Sequence, residues 1–251
     1  MHALDHIERV NGGRTADLCL SDISCVLKFH ALRDDEYLLP LVPGMKRINA
    51  KDSARDRILT DAEIKAVWAT GNAFARFLLL TAARRDEAAA MQWKELDGND
   101  WTLPASRNKV KVDLVRPLSK AAMDVLPSRG HDDEFVFGSP PDRPLRSYSL
   151  LKKNLDRDSG VSGWRLHDLR RTARSLMSRA GVNTDHAERC LGHVIGGVRG
   201  TYDRHEYHGE KKHALESLAR QLALIVDHPT DGVANINEER EKRKAPKRRR
   251  A

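Results

Sequence analysis

Apolar residues recur along most of this chain at spacings of three and four, the period of helices with one buried face. Between Asp17 and His30, residues Leu18, Ile23, Val26, Leu27 and Phe29 are placed for a helix that ends near Arg33-Asp34-Asp35. The stretch Leu39-Pro40-Leu41-Val42-Pro43-Gly44 breaks helices and reads as extended. Lys46 to Arg57 is polar and basic, a connector in character. A new domain is expected beyond it, because Thr60-Asp61-Ala62-Glu63 fits a capping box, with Thr60 as the cap and Glu63 reaching back. The first dozen residues show no clear pattern.

Phe74 to Thr81 is apolar enough for a buried helix, and Arg84 to Trp93 predicts a second. Asp97-Gly98-Asn99-Asp100 is a turn signal between short strands, with Trp101-Thr102-Leu103 as the return. Lys109 to Leu118 alternates weakly and predicts a third strand. On such a strand Lys109 and Lys111, two apart, would share one face. Further helices are expected near Lys120–Val125, Leu150–Asp156, Asp168–Ala180, Asp185–Leu191 and Glu210–Val226, with Ser119, Ser147 and Thr184 at starts and Gly181-Val182 ending one. Trp93, Trp101 and Trp164 read as core or sheet-packing residues. The fold class is therefore mainly α with a small antiparallel three-stranded sheet (α+β), and no internal repeat is visible.

Composition narrows the class of protein. The chain has 251 residues, 40% of them hydrophobic and 32% charged, and a mean hydropathy of −0.59. The longest apolar stretch, Phe74–Ala83, is interrupted by Arg76 and is far short of the roughly 20 residues that span a bilayer. His2, Asp5, His6, Glu8 and Arg9 break up any signal-peptide core. Cys19, Cys25 and Cys190 cannot all pair and show no CxxC spacing, which points to a reducing, cytoplasmic setting and away from structural zinc. No membrane partner is expected. The formal charge is +8. From Glu238 to Ala251 eight Lys or Arg stand against three Glu, so +5 of that charge lies in the final segment. That segment, with Lys242, Arg243, Lys244, Lys247, Arg248, Arg249 and Arg250, reads equally as a nucleic-acid arm and as a solvated terminus, without a hydrophobic face to fold on.

Four stretches carry candidate chemistry: LLLTAARRDEAAAMQW (78–93), LPASRNKVKVDLVRPLS (103–119), RLHDLRRTARSLMSRAGV (165–182) and LGHVIGGVRGTYDRH (191–205). In order, and over roughly Ile58 to Val226, they resemble the tyrosine recombinases, or phage-type integrases. His-x-x-Arg alone recurs by chance; five pieces in matching order and spacing make the resemblance specific. It implies an Arg–Lys–His-x-x-Arg–His–Tyr set on Arg84, Lys109, His167, Arg170, His193 and Tyr202, with Glu87 as the buried acidic support of Arg84. Tyr202 is selected over Tyr207 by its nine-residue interval from His193, and Lys109 over Lys111 only by its spacing to Pro117-Leu118-Ser119. The implied organisation is a remnant of a helical DNA-clamp domain over 1–48, a linker over 49–57, the catalytic domain over 58–228 and a basic tail over 229–251.

The chemistry explains the residue types. Breaking a phosphodiester without water or a cofactor needs an activated hydroxyl, neutralised phosphate oxygens and a protonated leaving group. The resemblance implies that Tyr202 attacks and leaves a covalent 3′-phosphotyrosine. It implies that Arg84 and Arg170 bind the non-bridging oxygens as forks, that Lys109 protonates the 5′-oxygen and that His167 acts as base or phosphate ligand. His193 is implied to hydrogen-bond the phosphate. No metal and no cofactor are implied, since cationic side chains supply the neutralisation that metals give many nucleases. A zinc site from His205, His208 and His213 is disfavoured for want of cysteine or a closing carboxylate. The implied partners are double-stranded DNA, three further copies on recombination sites, and accessory DNA-bending proteins, in a nucleoid-associated setting.

Three departures from the family pattern stand out. Ala82 replaces the glycine of Thr-Gly-x-Arg, a strained choice if φ is positive there. Arg116 stands where an apolar residue usually precedes Pro-Leu-Ser. About 50 residues precede the linker where the family has a helical clamp of about a hundred, so an unburied apolar face is expected on them. Two other readings follow: a non-catalytic DNA-binding remnant that occupies or regulates recombination sites, and a type IB topoisomerase-like enzyme with the same active-site chemistry.

Overall fold

A computed structural model describes residues 2–49, 56–138, 140, 142–193 and 205–227. It divides into two compact units, 1–56 and 57–251. In the first, α1 (His2–Asn11) and α2 (Gly13–Ala31) pack on each other. Gly12 between them has φ 84°, a backbone that suits glycine. The returning chain is tied back by the N–H groups of Arg47 and Ile48, which donate to the Asp17 carboxylate at 2.7 and 3.1 Å. These bonds, the Arg47 one foremost, hold the Asp17 carboxyl below its usual range. The first dozen residues are thus helical where no pattern was visible. So short a helix, with only Leu4 buried among its described side chains, draws its stability from docking rather than from its own sequence. The expected apolar face is present: Leu18, Val26, Phe29 and Leu32 are exposed.

The second unit opens with α3 (Asp61–Ala69) under the expected capping box. Thr60 Oγ1 accepts from the Glu63 N–H at 3.3 Å, and the Glu63 carboxylate accepts from the Thr60 N–H at 2.8 Å. The centre of the core is α4 (Ala73–Thr81), capped by Asn72 and buried from Phe74 through Thr81 except at Arg76. It packs against α8 (Leu166–Arg179) and α10 (His208–Asp227), which contribute Leu169, Ala173 and Met177, and Ala214, Leu218 and Leu222.

The helix expected over Arg84–Trp93 is only α5 (Arg85–Ala89) followed by a 3₁₀ turn over Trp93–Glu95. Between them the backbone is diverted into cross-chain bonds: Val136 donates to Met91 O at 2.9 Å and Trp93 to Glu134 O at 3.0 Å. The sheet runs β1 (Leu96–Asp97), β2 (Asp100–Leu103), β3 (Leu114–Pro117), antiparallel in that order. Gly98 takes φ 55° at the first central position of the β1–β2 turn, where glycine belongs. The third strand is shorter than expected, so Lys109 and Lys111 lie in the loop before it and share no strand face. That loop is held by its own bonds: Asn108 donates to Val112 O at 2.6 Å, the Ala105 N–H donates to Asp113 at 2.6 Å, and Lys111 takes φ 57°. Helices α6 (Lys120–Asp124), α7 (Tyr148–Ser159) and α9 (Thr184–Leu191) lie where sequence predicted helices. Asn183, not Thr184, supplies the α9 cap. The mainly helical class with one small antiparallel sheet is borne out. Trp101 and Trp164 are buried, and Trp93 is partly so.

Ala82 ends α4 at φ 51°, ψ 24° with no exposed surface. A left-handed conformation costs an L-residue about 1–2 kcal/mol, and the buried methyl returns about 0.8 kcal/mol. Ala82→Gly relieves the first and forfeits the second, so urea unfolding should place it within about 1 kcal/mol of the parent. Ala82→Val, β-branched at positive φ, should lose about 2 kcal/mol or more. Equal midpoints for alanine and valine would contradict this account.

Candidate active site

Three chain reversals deliver the candidate side chains. The left-handed turn at Ala82 sets Arg84 at the cap position of α5, where the Arg84 N–H donates to Glu87 Oε2 at 3.2 Å. At the start of α8 the Arg165 N–H donates to Asp168 at 2.8 Å, fixing the turn that carries His167 and Arg170. Thr172, one turn further, donates to Asp168 O and accepts the Leu59 N–H, each within 2.9 Å, so the third box is tied to the chain entering α3. At the end of α9, Gly192 (φ 70°) donates to Arg189 O and His193 to Glu188 O, both at 3.0 Å, which is a Schellman motif. A Cβ at Gly192 would lie 2.4 Å from Leu114 Cδ2, so glycine is required there twice over.

These reversals bring Arg84, Arg170 and His193 together. Arg84 Nη1 donates to Glu87 Oε1 at 2.6 Å; its side chain is 25% exposed and Glu87's is 5% exposed. Arg170 is buried: Nη1 donates to Ala82 O at 2.7 Å, Nη2 to Leu191 O at 2.9 Å and to His193 Nε2 at 3.1 Å. The His193 Nδ1 lies 2.5 Å from Glu188, whose other oxygen accepts from Arg174 at 2.8 Å. A carboxylate and a guanidinium leave one assignment: Nδ1 carries the proton, and Nε2 accepts from Arg170. Glu188 and Arg174 were not anticipated from sequence. Their signal is position, since Glu188 sits one turn before the helix end that presents His193.

Arg116 joins this group. Period-two alternation puts Leu114 and Arg116 on the inward face of β3. The register sets Arg116 opposite Trp101, with the guanidinium 5.0 Å from the ring centroid. It is 0% exposed. Nη2 donates to Glu87 Oε2 at 2.6 Å and Nε to Cys190 O at 3.1 Å, while Nη1 is buried without a hydrogen-bond partner among the described residues. An unmade donor of that kind costs about 1–3 kcal/mol. One carboxylate therefore serves two guanidiniums, and three guanidiniums crowd one carboxylate.

The proton equilibria follow. Burial raises the Glu87 carboxyl, but Arg116 and Arg84 outweigh it and hold it below the usual range. Burial foremost, then the charges of Arg116 and Arg84, loosens the proton of Arg170 to about 9, which leaves it charged at neutral pH. Burial, then Arg171 and Arg170, pushes His167 below 6.5. Burial lifts the Cys190 thiol to about 12, an unreactive state. Lys109 and Lys111 are both exposed in their loop. His205 pairs with Glu210 at 3.3 Å and His208 with Asp100 at 2.8 Å. Tyr202 and the basic segment Lys242 to Arg250 lie outside the described residues, as do residues 228–251 generally. No described helix is long and apolar enough to cross a membrane.

Among solved structures, this arrangement resembles lambda integrase (residues 75–356), a dimer bound to a COC′ core site. The TM-score is 0.58 at 17% identity, over 76% of each chain. It also resembles the integrase of mycobacterium phage Brujita, with TM-score 0.53 at 20% identity, over 85% of this chain and 77% of that one. At those identities the likeness establishes the fold, which is that of a tyrosine-recombinase catalytic domain. Residues 50–208 match the phage integrase family, and the chain belongs to that family. Two Escherichia coli (strain K12) proteins are similar in sequence. Prophage integrase IntA is 34% identical over 151 residues, 55% of this chain and 35% of that protein. Prophage integrase IntZ is 32% identical over 158 residues, 60% of this chain and 39% of that protein. The match thus spans less than two-fifths of either relative's length.

His167 should be neutral at pH 7. Because its folded pKa is depressed, its contribution to stability is complete above 6.5 and is lost as pH falls through the lower folded value. An NMR titration should place its midpoint below 6.5; a midpoint above that value would mean that burial and the neighbouring arginines do not govern it.

Proposed function

We propose that the chain is a site-specific DNA recombinase that cleaves and rejoins strands through a 3′-phosphotyrosine at Tyr202. The observation that carries this reading is the convergence of Arg84, Arg170 and His193, from three distant segments, around the Glu87 carboxylate and the carbonyls of Ala82 and Leu191. Positioned guanidiniums and an oriented imidazole suit a phosphate that gains charge in the transition state. Arg84, the more exposed arginine, meets a non-bridging oxygen, and Arg170 braces the site and His193 from below. His167, neutral at pH 7, accepts a proton or hydrogen-bonds the phosphate. His193, turned by Glu188 through Nδ1, meets the phosphate through Nε2, which must carry a proton to donate to it once Arg170 turns away. Lys109, exposed on the loop before β3, protonates the departing 5′-oxygen. The phosphotyrosine keeps the energy of the DNA linkage, so religation needs no ATP.

The substrate is double-stranded DNA, held by the catalytic unit with help from residues 1–48 and from the basic segment 238–251. Lambda integrase has been solved as a tetramer bound to a Holliday junction, and the same assembly is proposed here.

A nicked suicide substrate carrying the recombination site tests this. Wild type should form a covalent protein–DNA adduct and Tyr202→Phe none. An adduct that survives Tyr202→Phe, or none with wild type, sinks the assignment. DNA retention without an adduct favours the non-catalytic reading, and relaxation of supercoiled plasmid without recombination favours the topoisomerase-like one.

The general acid is tested separately. Lys109→Ala should slow cleavage by roughly 10²–10⁴-fold, and Lys111→Ala by under about fivefold. A 5′-bridging sulfur, which leaves without a proton, should restore the Lys109→Ala rate. Failure of that rescue would move the acid elsewhere.

A further inference from the structure

We propose that Arg116 is a positioning residue of the phosphate pocket: it neutralises Glu87 from behind, so that the charge of Arg84 is left for the phosphate. This rests on the proposed recombinase reading and extends it to a residue that touches no substrate.

Glu87 is buried and ionised, and its two oxygens are divided. Oε1 takes Arg84 Nη1, and Oε2 takes Arg116 Nη2, both at 2.6 Å. Without Arg116 the carboxylate belongs to Arg84 alone, and a phosphate approaching Arg84 meets a pair already close to neutral. With Arg116 present, Arg84, Arg116 and Arg170 outnumber Glu87, and the cluster carries a net charge of +2. One unit charge within about 10 Å, at an effective dielectric of about 20, changes an anion's binding constant roughly tenfold.

Packing does not explain the residue. Arg116 is wholly buried, faces the Trp101 ring and leaves Nη1 without a partner among the described residues. An apolar side chain would fill the same place on the inward face of β3 without stranding a donor. Its bond to Cys190 O has a positional use as well. Cys190 and Leu191 adjoin at the end of α9, and their carbonyls are held by Arg116 and Arg170 respectively. The two guanidiniums thus share the segment that presents His193.

The test compares R116M, R116Q and the double variant R116M/E87Q with wild type in the full chain. Inorganic phosphate affinity is read by NMR, suicide-substrate cleavage in parallel, and folding by thermal melts. R116M and R116Q should each bind phosphate about tenfold more weakly and cleave correspondingly more slowly. The glutamine keeps a donor toward Glu87, so its loss isolates charge from hydrogen bonding. R116M/E87Q, which restores the net charge to +2, should return to within about threefold of wild type in phosphate affinity. Wild-type affinity in R116Q, or a double variant as weak as R116M, overturns the proposal. Should the single variants fail to fold, the double variant, which removes the charges of Arg116 and Glu87 together, decides: phosphate affinity more than tenfold below wild type overturns it. If wild type forms no DNA adduct while the phosphate pattern holds, the recombinase reading falls and the role of Arg116 stands.

Discussion

The candidate site hangs on one buried carboxylate. Glu87 closes the first turn of α5 by accepting the Arg84 N–H, aims the Arg84 side chain with one oxygen, and holds Arg116 on β3 with the other. Arg116 then reaches the end of α9, where His193 is presented, so helix, strand and histidine turn are registered to one another through a single ionised group. Breaking one partner of such a buried set is costly, about 3–5 kcal/mol, because the charges left behind lose their compensation.

The rest of the geometry is made by chain ends rather than by regular structure. Ala82 and Gly192 both take left-handed conformations, one after α4 and one after α9. The carbonyls that these terminations leave free, at Ala82 and Leu191, are the ones Arg170 satisfies. Helix ends expose backbone acceptors that must be met, and a buried arginine has donors to meet them. The same bonds that stop the helices therefore lock Arg170 in place. Behind this, α4 is apolar on nearly all sides and gives the segments a rigid body to close against.

Much of this was legible in advance. The order of helices, the Thr60 capping box, the turn at Gly98 and the burial of Phe74–Thr81 are local or periodic signals, and the structure follows them. The misreadings are equally physical. Residues 2–11 are helical because α2 supports them. The helix after Arg84 is cut short because residues 134–136 and Leu145 claim its backbone groups. Lys109 and Lys111 looked like strand residues, but Asn108 and Asp113 bind the loop to itself. Of the candidate site, Arg84 with Glu87 and the His167–Arg170 turn could be read from spacing, since each lies within one helical turn. Glu188 could be found by counting one turn back from His193.

The sequence by itself determined the helical class, the capping signals, and the identity and spacing of the residues that mark the phage integrase family. These are properties of short windows, where neighbours in sequence are neighbours in space. Only the tertiary structure decided that Arg116 is a buried partner of Glu87 rather than an exposed substitution. Only it decided that Arg170 spends its donors on Ala82, Leu191 and His193. Those contacts join positions 21 to 88 residues apart. No local pattern encodes such pairings; they exist because a close-packed interior brings the segments together and must satisfy most of the polar groups it buries.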